Sequence, residues 1–275
     1  MITVVRSGPL STVQDLGRPG YAHLGVPRSG ALDLAALRRA NALVGNPVTA
    51  AVVETTLLGC ALRFAVAARV AVTGATAAVR LDRQPVPDEV IEVPVGSVLD
   101  VGRATAGVRS YVAVAGGIDV EPILGSRATD TLSGLGPPRL TDGMKLPIGT
   151  EQFGSAVVGP AMLPTTELEL GVRLGPRDDW FEAAGLFASA YQVSPLSNRV
   201  GCRLAGIALT RTRAGEFASE GVVLGAIQVP ADGQPLIFLA DHPTTGGYPV
   251  IGVVDDVTPL AQARPGTTVR FRALD

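Results

Sequence analysis

Polar side chains crowd the ends of apolar runs in one stretch of this sequence, residues 219–254, SEGVVLGAIQVPADGQPLIFLADHPTTGGYPVIGVV. Two strand-like runs, 222–229 and 236–239, flank the turn Pro230-Ala231-Asp232-Gly233-Gln234-Pro235, whose Gly and Pro suit a sharp reversal. Around their ends stand Ser219, Glu220, Gln228, Asp241, His242, Thr244, Thr245 and Tyr248, with Gly246-Gly247 ahead of a third apolar run, 250–254. Hydroxyls, carboxylates and glycines gathered between buried strands mark a place where function tends to sit. The competing reading is turn chemistry alone, which accounts for every glycine.

Two further stretches carry usable groups. Residues 194–201, SPLSNRVG, set two hydroxyls (Ser194, Ser197), the amide of Asn198 and Arg199 close together. An arginine fork can hold two oxygens at once, so the set suits a carboxylate or carbamate; it equally suits an arginine that ties a loop down through carbonyls. The long irregular segment 12–30 offers Gln14, Asp15 and Arg18, either as a binding loop or as a covering loop whose Asp15 and Arg18 pair with each other.

Other chemistries lack their residues. His23 and His242 are the only histidines and have no ligand spacing to Cys60 or Cys202, so no metal site is expected. There is no G-x-S-x-G elbow, and His242 has no evident nucleophile to serve. No glycine precedes a lysine, which removes a P-loop, and Gly134-Leu135-Gly136 lacks the strand–helix context of a dinucleotide fingerprint. Lys145, the only lysine, is read as solvated and Trp180 as a core anchor; Glu54, amid apolar neighbours, is either a satisfied structural carboxylate, the leading reading, or a site acid.

The elements that must position these groups are mostly strands. A chain of 275 residues, 47% hydrophobic and 17% charged, is globular and rather apolar. Its formal charge of −2, without a basic run, argues against nucleic acid or an anionic membrane as partner. Two isolated cysteines, no secretory start and no long apolar run predict a cytoplasmic protein with free thiols. Short apolar runs at 61–67, 69–73, 77–81, 91–93, 98–101 and 110–115 are separated by turn signals at 73–74, 83–85, 95–96 and 103–107, the spacing of a barrel or sandwich. A second series follows at 167–174, 191–193, 203–209, 222–229, 236–239, 250–254 and 268–271. Helices are predicted over 33–44, with either Asp33 as the N-cap or Gly30-Ala31-Leu32 leading into it, and over 177–187. A weakly patterned crossover at 153–164 divides the chain into domains 1–155 and 156–275, each mainly β with one helix.

Several blocks also resemble a known family. QDLGRPGYAHLGVPRSGALD with ANALVGN, YVAVAGGID with LGSRAT, VSPLSNRVGCRL, and SEGVVLGAIQVPADGQPLIFLADHPTTGGYP are similar to the biotin-dependent carboxyltransferases, a family that includes allophanate hydrolase subunit 2 and the C subunit of 5-oxoprolinase. The resemblance implies two cyclophilin-like β-barrel domains and a subunit 1/B-type partner of related fold. It also implies ATP-dependent ring opening of 5-oxoproline to glutamate, together with a third subunit. Other relatives pass a carboxyl group from carboxybiotin to urea, and some act as regulators that bind their partner. Cys202 departs from the family's pattern. With no ATP-grasp-like segment and no biotin-accepting lysine here, ATP is expected with the partner subunit and biotin only on another chain.

For a small planar amide or urea, negative charge develops on oxygen, and oriented donors matter more than a strong nucleophile. Arg18, Asn198, Arg199, Gln228 and the Gly246-Gly247 amides are the candidate donors, and Glu220 or Asp241 the candidate base. Gln14, Asp15, Ser197, Thr244, Thr245 and Tyr248 complete the expected substrate contacts.

Overall fold

The computed structural model describes every residue except 87–88, 152–153, 155–158, 160–163, 216–217 and 275. The chain forms two compact units, one of Met1–Arg18 with Ser29–Pro164, the other of Pro19–Arg28 with Thr165–Asp275. The boundary expected between 155 and 156, and most of the crossover expected at 153–164, lie outside the described residues.

The first unit holds a curled nine-stranded sheet. Its strands are β1 (Ile2–Arg6), β2 (Ser11–Gln14), β3 (Val52–Thr56), β4 (Ala61–Phe64), β5 (Ala68–Leu81), β6 (Gln84–Pro85), β7 (Val90–Val93), β8 (Val98–Val114) and β9 (Lys145–Leu146). The order β2-β3-β8-β4-β1-β9 is extended by β5, which pairs with β6, β7 and β8. Side chains of a strand alternate between faces, so Val53, Val70, Val112 and Val114 enter one core with Leu62, Phe64 and Leu99. Their neighbours Val52, Ala71, Tyr111 and Ala113 face helix α1 (Leu34–Leu43) on the other side, packing with Leu37 and Ala40. With both faces covered there, β8 is buried without interruption from Gly107 to Val114, although its first residues alternate.

Helix α1 forms where it is expected. Asp33 caps it, its Oδ1 accepting from the Ala36 amide at 2.9 Å. Beneath it, Glu54 is satisfied as anticipated: Tyr111 donates its hydroxyl to Oε2 at 2.9 Å, the Leu32 amide donates at 3.1 Å, and Arg109 lies 3.7 Å from Oε1. Burial, followed by the charges of Glu54 and Asp33, pushes the Tyr111 phenol well above its usual range, so it remains a donor.

The runs read as separate strands at 69–73 and 77–81 are one strand, β5, and those at 98–101 and 110–115 are one strand, β8. The signals at 73–74 and 103–107 mark irregularities inside a long β5–β8 ribbon, whose register shifts between Gly74 and Val79. Gly74 has φ +92°, and a β-carbon there would overlap the carbonyl oxygen of Arg109. A bulge and a turn both ask for a residue of this kind, and sequence does not separate them.

The second unit contains a closed barrel in the order β10-β17-β14-β15-β12-β11-β18. These are β10 (Glu167–Leu174), β11 (Tyr191–Val193), β12 (Gly201–Ala205), β14 (Ala226–Gln228), β15 (Leu236–Phe238), β17 (Val250–Val254) and β18 (Thr268–Ala273). A two-stranded ribbon, β13 (Glu220–Gly221) with β16 (Thr245–Gly246), stands apart from it. The parallel pairing of β10 with β18 closes the ring. The helix expected over 177–187 is broken into a 3-10 turn, Asp178–Trp180, and α2 (Ala184–Ala188). Phe181 between them is extended, bridges Arg211 and is buried; seating that ring in the core outweighs helix continuity. Trp180 is half-buried under the Arg211 guanidinium, 5.0 Å above its ring, and so is a stacking partner rather than a core anchor.

Two measurements test this fold. Gly74→Ala should lower unfolding free energy by more than ~1 kcal/mol in urea titration, because φ there is positive and the space is filled. Cys60 is fully buried, and that burial pushes its thiol from 9.0 up to about 12 against the opposing pull of Arg6. The native thiol should resist thiol reagents at pH 8 until the protein unfolds. The folded state holds the proton more tightly, so Cys60 contributes stability that is present below about pH 9 and lost as pH rises toward 12.

Candidate functional site

The polar cluster read from residues 219–254 assembles around one irregularity in the barrel. Between β14 and β17 the register slips, so that Ile227 faces Gly252 whereas Gln228 faces Val250. Such a bulge re-aims a side chain. Gln228 is buried, and its Nε2 donates to the Tyr248 carbonyl at 2.9 Å. The β13–β16 ribbon brings Glu220 opposite Gly246 and Gly221 opposite Thr245, and the Val222 amide donates to the Thr244 carbonyl at 3.0 Å. Gly246 lies against the Gln228 amide so closely that any β-carbon would displace it. Glu220 carries a partner that sequence did not indicate: Arg177, whose Nη2 donates to Oε1. The Arg177 backbone N–H in turn donates to the Val250 carbonyl at 2.9 Å.

These residues form a graded site. Gln228 lies beneath, Glu220, Thr244 and Gly246 are half-buried, and Thr245, Gly247 and Tyr248 are exposed. A fixed amide and a carboxylate held by a guanidinium can together orient a small molecule that carries both donors and acceptors.

The remaining expected contacts have other work. Arg199 and Asp241 form a bidentate pair, Nε to Oδ2 at 2.9 Å and Nη2 to Oδ1 at 3.0 Å, with side chains 1% and 0% exposed. The fork expected to hold a ligand carboxylate holds Asp241, and the carboxylate expected to act as base is committed to Arg199. Asn198 Oδ1 accepts from the amides of Val200 and Gly201 at 2.8 and 3.2 Å. Ser197 Oγ donates to the Arg203 carbonyl at 3.2 Å and accepts from the Arg203 amide at 3.0 Å. All four are thus engaged within the protein, around the 194–201 loop. His242 is buried with Nδ1 2.6 Å from the Pro243 carbonyl.

In the first unit, Gln14, Asp15 and Arg18 pin the long loop onto residues 123–129. Gln14 Nε2 donates to Thr12 Oγ1 at 3.0 Å and to the Thr129 carbonyl at 2.9 Å. Asp15 accepts from the Ser126 hydroxyl at 2.6 Å and from the amides of Arg127 and Gly17 at 2.6 and 2.8 Å. Arg18 donates to the carbonyls of Ala128 and Ile123 at 2.5 and 3.3 Å. All three are buried and anchor the loop. Among the described residues no group of three or more His, Cys, Asp or Glu side chains is arranged to hold a metal ion. No described helix is long and apolar enough to cross a membrane.

Residues 24–273 match the family model for the carboxyltransferase domain, subdomain A and B. The chain belongs to that family. This carboxyltransferase-domain protein is 39% identical to the 5-oxoprolinase C subunit of Escherichia coli over 98% of its own length and 90% of that protein's. It is 33% identical to urea amidolyase of Saccharomyces cerevisiae over 98% of its length, but spans only 16% of that longer chain. The crystal structure of the K. lactis urea amidolyase superposes with a TM-score of 0.91 and 31% identity, covering all of this chain and 19% of that one.

The Arg199–Asp241 pair makes a quantitative prediction. Asp241→Ala leaves a buried guanidinium uncompensated and should destabilise the protein by ~3–5 kcal/mol in denaturant unfolding. Replacing both partners, Arg199→Met with Asp241→Leu, should cost much less. Equal losses would mean that the charge pairing itself is not what the fold needs.

Proposed function

We propose that this protein is the C subunit of an ATP-dependent 5-oxoprolinase. In this reading it opens the ring of 5-oxoproline to glutamate only in complex with a subunit 1/B-type partner and a third subunit. The observation that carries the reading is the near end-to-end match to a 5-oxoprolinase C subunit, whereas urea amidolyase is matched over a small part of its length. The substrate contacts are assigned to Glu220, Gln228, Thr244, Thr245, Gly246, Gly247 and Tyr248.

A cyclic amide presents one carbonyl oxygen, one N–H and, in this substrate, a carboxylate. As the ring carbonyl is activated, charge grows on its oxygen, and donors already in place stabilise it without reorganising. Gln228, buried and fixed through Tyr248, is such a group. Glu220, oriented by Arg177, is suited to accept the substrate N–H or to serve as base. The ATP that drives the reaction is assigned to the partner subunit. In support, the Gly116 and Gly117 amides of the other glycine doublet are committed internally, to Asn46 Oδ1 and the Val114 carbonyl at 2.9 and 2.8 Å.

A second reading, carboxyl transfer from carboxybiotin to urea or a related amide, draws on the fold match to urea amidolyase. The same donors would serve a planar urea, and biotin would arrive on another chain.

The test is ATP turnover and glutamate formation by the complex purified after co-expression of the three subunits, with and without 5-oxoproline. Glutamate should form only when this chain is present. Gln228→Ala should lower kcat about 10²–10³-fold, the scale for loss of one oriented donor. Glutamate formation without this chain would remove the proposal, and urea-dependent consumption of carboxybiotin in its place would establish the second reading.

A further inference from the structure

A ring of 5-oxoproline set against Gln228 and Glu220 brings its own carboxylate with it, and that anion needs a partner once water is displaced. Arg199 and Arg177 each hold a carboxylate beside the polar loops of the second unit, and they hold it differently. Arg199 closes on Asp241 with two hydrogen bonds, and the side chains are 1% and 0% exposed. Arg177 meets Glu220 through Nη2 and Oε1, with side chains 36% and 32% exposed. Opening the buried fork would strand a charge, whereas a half-open pair is screened by water and readily trades one carboxylate for another.

The Arg177 guanidinium is also in the right place. Its backbone N–H donates to the Val250 carbonyl, and Val250 is the residue that faces Gln228 in the slipped register. Glu220 lies opposite Gly246, which rests against the Gln228 amide. Arg177, Glu220 and Gln228 thus converge on one corner from separate segments of the chain. Of the two acids that follow Arg177, Asp179 is engaged by Arg213. In 5-oxoproline the carbon that bears the carboxylate is bonded to the ring nitrogen. A ring whose N–H points at Glu220 therefore sets its carboxylate beside the group that holds Glu220.

We infer that Arg177 selects for an anionic lactam, its guanidinium passing from Glu220 to the substrate carboxylate as the ring binds. The inference rests on the oxoprolinase reading of this site. One ion pair replaces another, and the Glu220 carboxylate gains the ring N–H as its donor in place of Nη2. A neutral amide or urea offers nothing to exchange and leaves the Arg177–Glu220 pair closed. Selectivity of this kind is a difference between two ligands, so it is read by comparing them.

The test sets 5-oxoproline against its neutral carboxamide, 5-oxoprolinamide, as a competitor in the purified complex of the three subunits. Wild type should prefer the acid by at least about tenfold, the fork being matched to a carboxylate. Arg177→Gln should abolish that preference through a rise in KM for 5-oxoproline, with the inhibition constant of the carboxamide little changed. Arg177→Lys, which keeps the charge and loses the fork, should restore part of the preference. Thermal unfolding checks that each variant is folded; should Arg177→Gln unfold, Arg177→Lys alone is expected to raise KM for the acid about threefold and spare the carboxamide. A preference that survives in Arg177→Gln, whether both ligands weaken alike or only kcat falls, would overturn the inference and leave Arg177 as a positioning residue for Glu220. A wild-type complex that does not turn over 5-oxoproline would overturn the oxoprolinase reading and the inference with it.

Discussion

A guanidinium and a carboxylate taken out of water, Arg199 and Asp241, fix the ground on which the second unit's polar loops stand. Burying either alone is costly, so each needs the other in a bidentate geometry, and that requirement sets where both loops run. The backbone follows: the Asp241 amide donates to the Arg199 carbonyl, and the Leu239 amide to that of Val200. Thr244, Thr245 and Gly246 leave from this anchored corner, so the position of the ribbon opposite Glu220 is inherited from a pair that itself faces no solvent. The first unit uses the same device with different groups. Glu54 under Tyr111 and Arg109 supports the entry to α1, and Asp15 with Arg18 holds the long loop against residues 123–129.

The barrel also shows how a regular ladder yields an irregular site. One slipped residue at Gln228 is enough to point an amide across to the Tyr248 carbonyl, while its neighbour Ile227 remains fully in the core. Gly246 then lets the ribbon settle against that amide, which fills the space a β-carbon would need.

Much of this organisation is legible in the sequence, and the limits have physical causes. Helix α1 is marked by a local cap at Asp33 and by apolar residues at helical spacing, both short-range signals. The strand content follows from short apolar runs separated by turn signals. Strand continuity does not, because Gly74 serves a bulge with the same backbone freedom a turn would use. Segment 177–187 has helical composition, yet burial of Phe181 against distant residues breaks it. In the site, residue types are visible but partners are not. Arg199 reads as an anion binder until Asp241, 42 positions away, is seen to occupy it. Arg177 reads as a helix starter until Glu220, 43 positions away, is beside it. Long-range pairing decides which polar groups serve the fold.

The chain visits its second unit early, at Pro19–Arg28, before returning to finish the first. Synthesis therefore delivers one piece of the second unit long before the rest, a wait of roughly ten seconds at common elongation rates. During that interval the early piece has no unit of its own to join. The two units are consequently not interchangeable modules: severing the gene ahead of Thr165 would yield neither a complete first unit free of foreign sequence nor a second one with all its parts. Evolution can fuse or separate this pair from other proteins as a block, but cannot readily shuffle its halves.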